Sequence, residues 1–152
     1  MKILVTGATG FTGRRVLPLL KGKGEITCFV RPGSNIQEIE KSGYKIAPGD
    51  LNNPDSLKQA MSGCNALINI ASLGFGHAPV IVKAAEEAGV ERAIFISTTA
   101  LFTQINTDSK SVRQQAEYYI RSSKLDWTIL RPTMIYGAPD DRNMMRLIKF
   151  ID

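Results

Sequence analysis

The sequence predicts a doubly wound α/β fold, in which helices cover both faces of a parallel sheet to give three layers. Short apolar segments alternate with helical patterns about six times along the 152 residues. Segments such as Lys2–Thr6 are continuously apolar and lack the alternation of a half-exposed strand. The length suits one core, so we expect residues 1–152 to form a single domain.

The predicted strands are short and rich in β-branched and aromatic residues. Turn pairs such as Pro32-Gly33 and Pro48-Gly49 mark the ends of the second and third strands. In chain order the predicted strands are Lys2–Thr6, Ile26–Val30, Tyr44–Ala47, Ala66–Ala71, Ala93–Ser97 and Trp127–Leu130.

Apolar residues at helical spacing predict a helix after each strand. Ser34 is expected to cap the second helix and Asn53-Pro54 to open the third, because these residue types are favoured at helix starts. The predicted helices cover Phe11 to Leu20, a short segment with Ile36 and Ile39, a segment with Leu57 and Met61, about Val80 to Ala88, a segment around Val112 to Ile120, and Arg142–Ile151.

The composition is that of an ordinary globular protein. With 43% apolar and 22% charged residues, the chain is too apolar for intrinsic disorder. No apolar run approaches the roughly 20 residues of a membrane-spanning helix, and no signal peptide opens the sequence. We therefore expect a cytoplasmic protein that does not insert into a membrane.

Charge and cysteine content argue against nucleic-acid, disulfide and metal sites. The net charge is +5, but the basic residues are scattered without aromatic interleaving, so no nucleic-acid partner is predicted. Cys28 and Cys64 lie in apolar segments and have no partners at metal-ligand spacing. Both are expected to be buried free thiols.

Three glycines, Gly7, Gly10 and Gly13, lie directly between the first predicted strand and the first predicted helix. In that context missing side chains let the backbone approach a pyrophosphate, which faces the N–H groups of the helix start. Thr9 and Thr12 add hydroxyl donors. A tight turn without a ligand is the alternative, but the context favours a dinucleotide site.

Several motifs in order resemble one family: Thr6–Gly13 (TGATGFTG), Gly49–Leu51 (GDL), Phe95–Thr99 (FISTT) and Ile129–Gly137 (ILRPTMIYG). Together they resemble the short-chain dehydrogenase/reductase superfamily, in its extended and atypical (NmrA-like) branches. The likeness covers essentially the whole chain. It implies a Rossmann-like fold that binds NAD(P), in an oxidoreductase or a nucleotide-sugar epimerase or dehydratase that acts on a small molecule.

Members of that superfamily continue beyond the equivalent of Asp152 with a substrate-binding portion. The resemblance implies that this C-terminal portion is absent here, so the sequence leaves the substrate open. The apolar segment Met144–Ile151 would ordinarily pack on something. We therefore expect a further segment or a partner to cover it, and a homo-oligomer is one such arrangement.

The end of the second strand indicates which dinucleotide is bound. A carboxylate there would select NAD through the ribose 2′-hydroxyl, but the strand ends at Arg31. A guanidinium suits the 2′-phosphate of NADP, and Arg14 and Arg15 could add a second cation. NADP is favoured and NAD is the alternative. Arg31 could also be a solvated charge at the end of a strand.

The resemblance implies the remaining cofactor contacts. Asp50 would accept a hydrogen bond from the adenine amino group, although it could instead cap the turn before Asn53. Backbone near Ser72 would pass along the adenosine ribose, and backbone at Pro132 would border the nicotinamide. The full predicted cofactor set is Gly7, Thr9, Gly10, Phe11, Thr12, Gly13, Arg14, Arg31, Asp50, Leu51, Ala71, Ser72, Pro132 and Thr133.

The catalytic residues are less complete. The resemblance implies that Thr99 polarises a substrate carbonyl, although it could be a plain strand-end threonine. The superfamily's Tyr-x-x-x-Lys pair does not occur in the chain. Aligning Glu117 with the glutamate that often follows that lysine puts Arg113 at the lysine position and Ser109 at the tyrosine position. Arg113 could contact a ribose, or it could join a surface ion-pair ladder with Glu117 and Arg121.

His77 is the chain's single histidine and lies after the fourth predicted strand. It could serve as an acid or base, or it could be a polar residue at a helix start. With Thr99 and Arg113 it completes the predicted catalytic set. Two interpretations stay open: an NADP-linked enzyme, and a non-catalytic module that binds the dinucleotide for redox sensing or regulation.

Overall fold

The computed structural model describes residues 1–104, 107–141 and 144–151. Six strands form one parallel sheet in the order β3-β2-β1-β4-β5-β6. The strands are β1 (Lys2–Thr6), β2 (Glu25–Val30), β3 (Lys45–Pro48), β4 (Ala66–Asn69), β5 (Arg92–Ile96) and β6 (Asp126–Leu130). The helices are α1 (Phe11–Val16), α2 (Gln37–Lys41), α3 (Pro54–Met61), α4 (Ala78–Glu87), α5 (Asp108–Arg121) and α6 (Met144–Ile151).

Both faces of the sheet are buried, because successive side chains of each strand point to opposite faces. On one face Leu4 and Phe95 pack against α3, α4 and α5. On the other face Ile3 and Val5 pack with Leu17 and with residues of the α2 region. The predicted doubly wound, three-layer α/β fold is confirmed.

Two predicted helix features are wrong. The first helix ends at Val16, and Leu17–Leu20 form a tighter 3-10 turn. Pro18 has no N–H to donate to the carbonyl four residues earlier, so the α-helix cannot continue through it. Ser34 does not cap α2, since the Asn35 carboxamide instead accepts the Gln37 N–H at 3.2 Å.

β1 matches its predicted bounds, and the other strands and α4 differ from theirs by one or two residues, whereas α5 begins at Asp108, four residues before Val112. The fourth strand stops at Asn69 rather than at Ala71, and the Asn69 side chain reaches forward to donate to the Ala71 carbonyl at 3.0 Å. The predicted start of the last helix, Arg142, lies outside the described residues. No helix in the described part of the chain is long and apolar enough to cross a bilayer.

The order of the strands in the sheet determines where the candidate site lies. The chain winds from β1 towards β3 on one side and from β4 towards β6 on the other. A crevice therefore opens between the carboxyl ends of β1 and β4, where open α/β sheets bind ligands.

Candidate dinucleotide-binding site

The turn that follows β1, Gly7–Gly10, is shaped by close backbone contacts. Gly7 has φ +71°, and a Cβ there would lie 2.5 Å from the Ala71 nitrogen and 2.8 Å from the Ile70 carbonyl carbon. Only glycine therefore lets the end of β4 pass beside this turn. The Gly10 N–H donates to the Gly7 carbonyl at 3.1 Å, which closes the turn in front of α1.

Gly13 has a different function from the other two glycines. It is buried in α1, and a Cβ there would overlap the Gly7 carbonyl and approach the Ala8 Cα at 2.7 Å. Gly13 thus permits close packing of α1 on the turn. It was predicted as a cofactor contact, and the residues that line the neighbouring clefts do not include it.

A first cleft of about 360 Å³ lies on the β2 side of the turn. It brings together nine predicted site residues: Gly7, Thr9, Gly10, Arg31, Asp50, Leu51, Ala71, Ser72 and His77. Sequence reasoning did not assign its other lining residues, which are Thr6, Phe29, Val30, Ser34, Asn52 and Phe75.

The turn after β2 presents a cation and a hydroxyl to the first cleft. The Ser34 N–H donates to the Arg31 carbonyl at 3.1 Å, and Pro32 and Gly33 (φ +79°) occupy the middle of the turn, as in a type II turn. Arg31 and Ser34 both line the cleft. Arg31 forms no ion pair with a carboxylate among the residues that the structure describes.

Asp50 supplies a carboxylate to the same cleft. Its Oδ1 accepts the Asn52 N–H at 2.7 Å, and this bond lowers the pKa of Asp50 most. Burial opposes that effect, while His77 and Arg31 lower the pKa further through their charges. Asp50 is therefore an ionised acceptor at neutral pH. Asp50 also closes the turn that leads into Asn53, since its carbonyl accepts the Asn53 N–H at 2.9 Å, while Asn53 caps α3 by accepting from the Asp55 and Ser56 N–H groups.

A second cleft of about 620 Å³ lies at the carboxyl ends of β5 and β6. Main-chain contact holds its two walls together, since the Thr99 N–H donates to the Pro132 carbonyl at 3.0 Å. The Thr99 hydroxyl lies 3.4 Å from the same carbonyl. The lining residues are Phe11, Thr12, Ile96, Ser97, Thr98, Thr99, Ala100, Thr103, Pro132, Thr133, Met134 and Ile135.

The two clefts meet at the glycine turn. Gly10 lines the first cleft, and the next residue, Phe11, lines the second. A ligand that crosses the start of α1 therefore has one cleft on either side of it. This geometry suits a dinucleotide, whose two nucleosides are joined by a pyrophosphate.

The predicted second cation lies elsewhere. Arg14 and Arg15 both pair with Asp140, the latter at 3.0 Å. The hydrogen bond from Arg15, with the charges of both arginines, outweighs burial and lowers the pKa of Asp140. Arg14 does not line either cleft, so the structure does not bring it to Arg31.

The three predicted catalytic residues lie in separate places. Thr99 lines the second cleft, and His77 lies in the first cleft with Asp50. Arg113 lines a third, smaller cavity at the start of α5. Its Nη1 donates to the Ser109 carbonyl at 3.1 Å. The structure therefore does not bring the three together in one cleft.

The ladder proposed for α5 forms only in part. Glu117 is buried and pairs with Arg121 at 2.7 Å, and also with Arg131 through two bonds of 2.6 and 2.8 Å. Burial opposes ionisation of Glu117, but the hydrogen bonds from Arg131 and the charges of Arg131 and Arg121 outweigh it and lower the pKa of Glu117. Glu117 ties α5 to the end of β6, and Arg113 takes no part.

The sequence analysis did not predict a buried polar pair, Thr6 and Asn69, that lies behind the glycine turn. The Thr6 hydroxyl donates to Asn69 Oδ1 at 2.7 Å, and Asn69 Nδ2 donates to the Ala71 carbonyl at 3.0 Å. Both side chains are fully buried. They hold the end of β4 against Gly7. An asparagine inside the apolar run Ala66–Ala71 was the signal that could have revealed the pair.

Residues 7–148 match the NAD(P)H-binding family. The chain belongs to this family. This match confirms the NAD(P) binding that the motif resemblance implied, and a short-chain dehydrogenase/reductase of Veillonella parvula, 23% identical to this chain, shares its fold.

Two curated relatives are distant. A 4-hydroxy-2-methyl-3-oxo-4-farnesyl-3,4-dihydroquinoline-1-oxide ketoreductase of Stigmatella aurantiaca is 24% identical over 99% of this chain and 55% of its own length. The photosystem II assembly factor Ycf39 of Guillardia theta is 25% identical over 84% of this chain and 45% of its own length. The chain thus spans about half the length of these relatives.

A solved structure gives a third comparison. The NADPH-dependent quinone oxidoreductase QOR2 of Escherichia coli, in complex with NADPH, superposes with a TM-score of 0.74 at 25% identity. The match covers 85% of this chain and 48% of that protein.

Proposed function

We propose that the chain binds NADP(H) across the two clefts and serves a reductase that acts on a small molecule. The observation that carries this proposal is the junction of the clefts at Gly10 and Phe11, directly after the close approach of Gly7 to Ala71. The adenosine half would occupy the first cleft and the nicotinamide half the second. Backbone N–H groups at the start of α1 would face the pyrophosphate.

In the first cleft, Arg31 and Ser34 would hold the 2′-phosphate, since a guanidinium and a hydroxyl can both donate to phosphate oxygens. The ionised Asp50 would accept from the adenine amino group. Arg14 keeps its pair with Asp140 in this proposal.

The preference for NADP rests on charge. No carboxylate ends β2, whereas an unpaired guanidinium stands there among the described residues. The similar quinone oxidoreductase was solved with NADPH. Both observations favour the phosphorylated dinucleotide.

In the second cleft, bound NADPH would supply a hydride. Pro132 and Thr133 would border the nicotinamide, and the Thr99 hydroxyl would turn from the Pro132 carbonyl to a substrate oxygen. Ser109 takes the position of the superfamily tyrosine, so no phenol stands at that proton-donating position. An acceptor such as a quinone fits best, because its reduced anion is stabilised without a protein acid and takes its proton from water.

Titration with NADPH and with NADH tests the cofactor assignment. Arg31→Ala should raise the Kd for NADPH about tenfold, the loss of one charge-assisted contact, and should leave the Kd for NADH unchanged. Lys23→Ala is the matched control, because this exposed lysine precedes the amino end of β2, whereas Arg31 follows its carboxyl end. Equal weakening of both cofactors by Arg31→Ala, or a wild-type preference for NADH, would contradict the assignment.

A non-catalytic NAD(P)H-binding module is the second candidate. Ser109 and Arg113 favour it, because they stand at the positions of the superfamily's catalytic tyrosine and lysine. One curated relative is an assembly factor rather than a named reductase. NADPH oxidation followed at 340 nm with quinone acceptors separates the two. Turnover that falls in Thr99→Ala supports the reductase, whereas tight binding without turnover of any quinone supports the module.

A further inference from the structure

A third cavity lies beside the second cleft, and we call it the α5 pocket. Its volume is about 240 Å³, below the roughly 300–1,000 Å³ of sites for drug-sized ligands. It shares Ala100 and Thr103 with the second cleft, so the two are neighbours. The lining residues are Ala100, Leu101, Thr103, Thr107, Ser109, Lys110 and Arg113.

Two cations enter this pocket from one face of α5. Lys110 Nζ donates to the Thr103 carbonyl at 2.6 Å, and Arg113 Nη1 donates to the Ser109 carbonyl at 3.1 Å. Both side chains are half-buried. Within the described ranges neither pairs with a carboxylate. Because an ammonium has three N–H donors and a guanidinium five, both retain capacity for an anion.

The position of Arg113 is fixed by its contact with Gly74. A Cβ at Gly74 would lie 2.8 Å from the Arg113 Cζ, so the guanidinium packs directly against the Gly74 backbone. The buried Leu101 gives the pocket an apolar wall beside the cations. A small pocket with two cations and an apolar wall suits a carboxylate attached to a compact apolar body.

We propose that the α5 pocket binds the carboxylate of a small, mainly apolar substrate and so positions that substrate beside the second cleft. This inference rests on the proposed function, since the second cleft is the one assigned to nicotinamide. Lys110 and Arg113 act as positioning residues that hold the anionic end of the substrate. The reacting end then extends past Ala100 towards Thr99.

Benzoate and benzamide are the probes, because they have nearly the same shape and differ in charge. Binding is measured by ligand-observed NMR titration of the 152-residue chain. Wild type should bind benzoate more tightly than benzamide. Lys110→Gln should raise the Kd for benzoate about tenfold, which corresponds to the loss of one charge-assisted contact. It should leave the Kd for benzamide unchanged. Arg113→Gln should weaken benzoate similarly.

Lys23→Gln is the control for overall charge, because it removes one positive charge before the amino end of β2, whereas the α5 pocket follows the carboxyl end of β5. Circular dichroism verifies that each variant is folded. Benzoate binding that is no tighter than benzamide binding to wild type, or an equal loss in Lys23→Gln, would overturn the proposal.

Titration of NADPH on the same samples separates the two proposals. NADPH binding without a preference for benzoate means that only the carboxylate site is wrong. A preference for benzoate that depends on Lys110, without NADPH binding, means that the proposed cofactor function is wrong while the carboxylate site stands.

Discussion

Replacing Gly7 with alanine tests the close approach on which the candidate site depends. Gly7 and Gly43 have almost the same backbone angle, φ +71° and +72°. A Cβ at Gly7 would lie 2.5 Å from the Ala71 nitrogen, whereas a Cβ at Gly43 would meet nothing within 4 Å. The two substitutions therefore share the cost of left-handed backbone and differ only in the space available.

The expected loss of unfolding free energy follows from the backbone cost and from the cost of steric overlap. Left-handed backbone costs a residue with a Cβ about 1–2 kcal/mol, and this is the expected loss of unfolding free energy in Gly43→Ala. Gly7→Ala adds overpacking against rigid backbone, about 1–3 kcal/mol. At roughly 2–4 °C per kcal/mol for a chain of this size, the melting temperature should fall by about 4 °C in Gly43→Ala and by about 10 °C in Gly7→Ala.

Urea denaturation followed by circular dichroism gives both unfolding free energies. NADPH affinity is measured below the melting temperature of each variant, where Gly7→Ala should also weaken binding because Gly7 lines the first cleft. Gly43→Ala should bind NADPH as wild type does. Equal destabilisation by the two substitutions would refute the argument that β4 passes too close for a side chain.

Two further predictions concern buried titratable groups. Glu117→Gln should lower the unfolding free energy by about 3 kcal/mol, since it leaves the Arg131 guanidinium without a carboxylate. The pKa of Glu117 is lowered in the fold, so this stability is present above the unfolded pKa and is lost as pH falls through the folded pKa. In urea titrations the difference from wild type should shrink as the pH falls below the unfolded pKa of Glu117, and a difference that stays constant would contradict this prediction. Burial raises the pKa of Cys28 to about 11, so iodoacetamide should label it slowly at pH 8 unless urea is added. Rapid labelling of the folded chain, detected by mass spectrometry, would count against this burial.

The fold was predictable because its signals are local. Each strand is a continuous apolar run, and β1 spans the predicted Lys2–Thr6. The first helix was predicted too long because apolar spacing continues past Pro18, whose missing N–H ends the α-helix at Val16.

The site was predictable only where its residues lie at strand ends. Topology brings the ends of β1, β2 and β4 together, so Gly7 and Arg31 meet in one cleft. The pairing of Arg14 with Asp140 joins residues 126 positions apart, and no local pattern encodes it. The separation of His77 from Thr99 likewise depends on which side of the glycine turn each loop follows.

The two clefts are lined by different parts of the sequence, and this has a consequence for protein synthesis. Every residue that lines the first cleft lies between Thr6 and His77, ahead of β5. The second cleft also needs β5 and the segment through Ile135. Under the proposed assignment, the ribosome therefore completes all the residues for the adenosine end of the cofactor before most of those for the nicotinamide end. The order of synthesis then follows the order in which the cofactor lies across the two clefts.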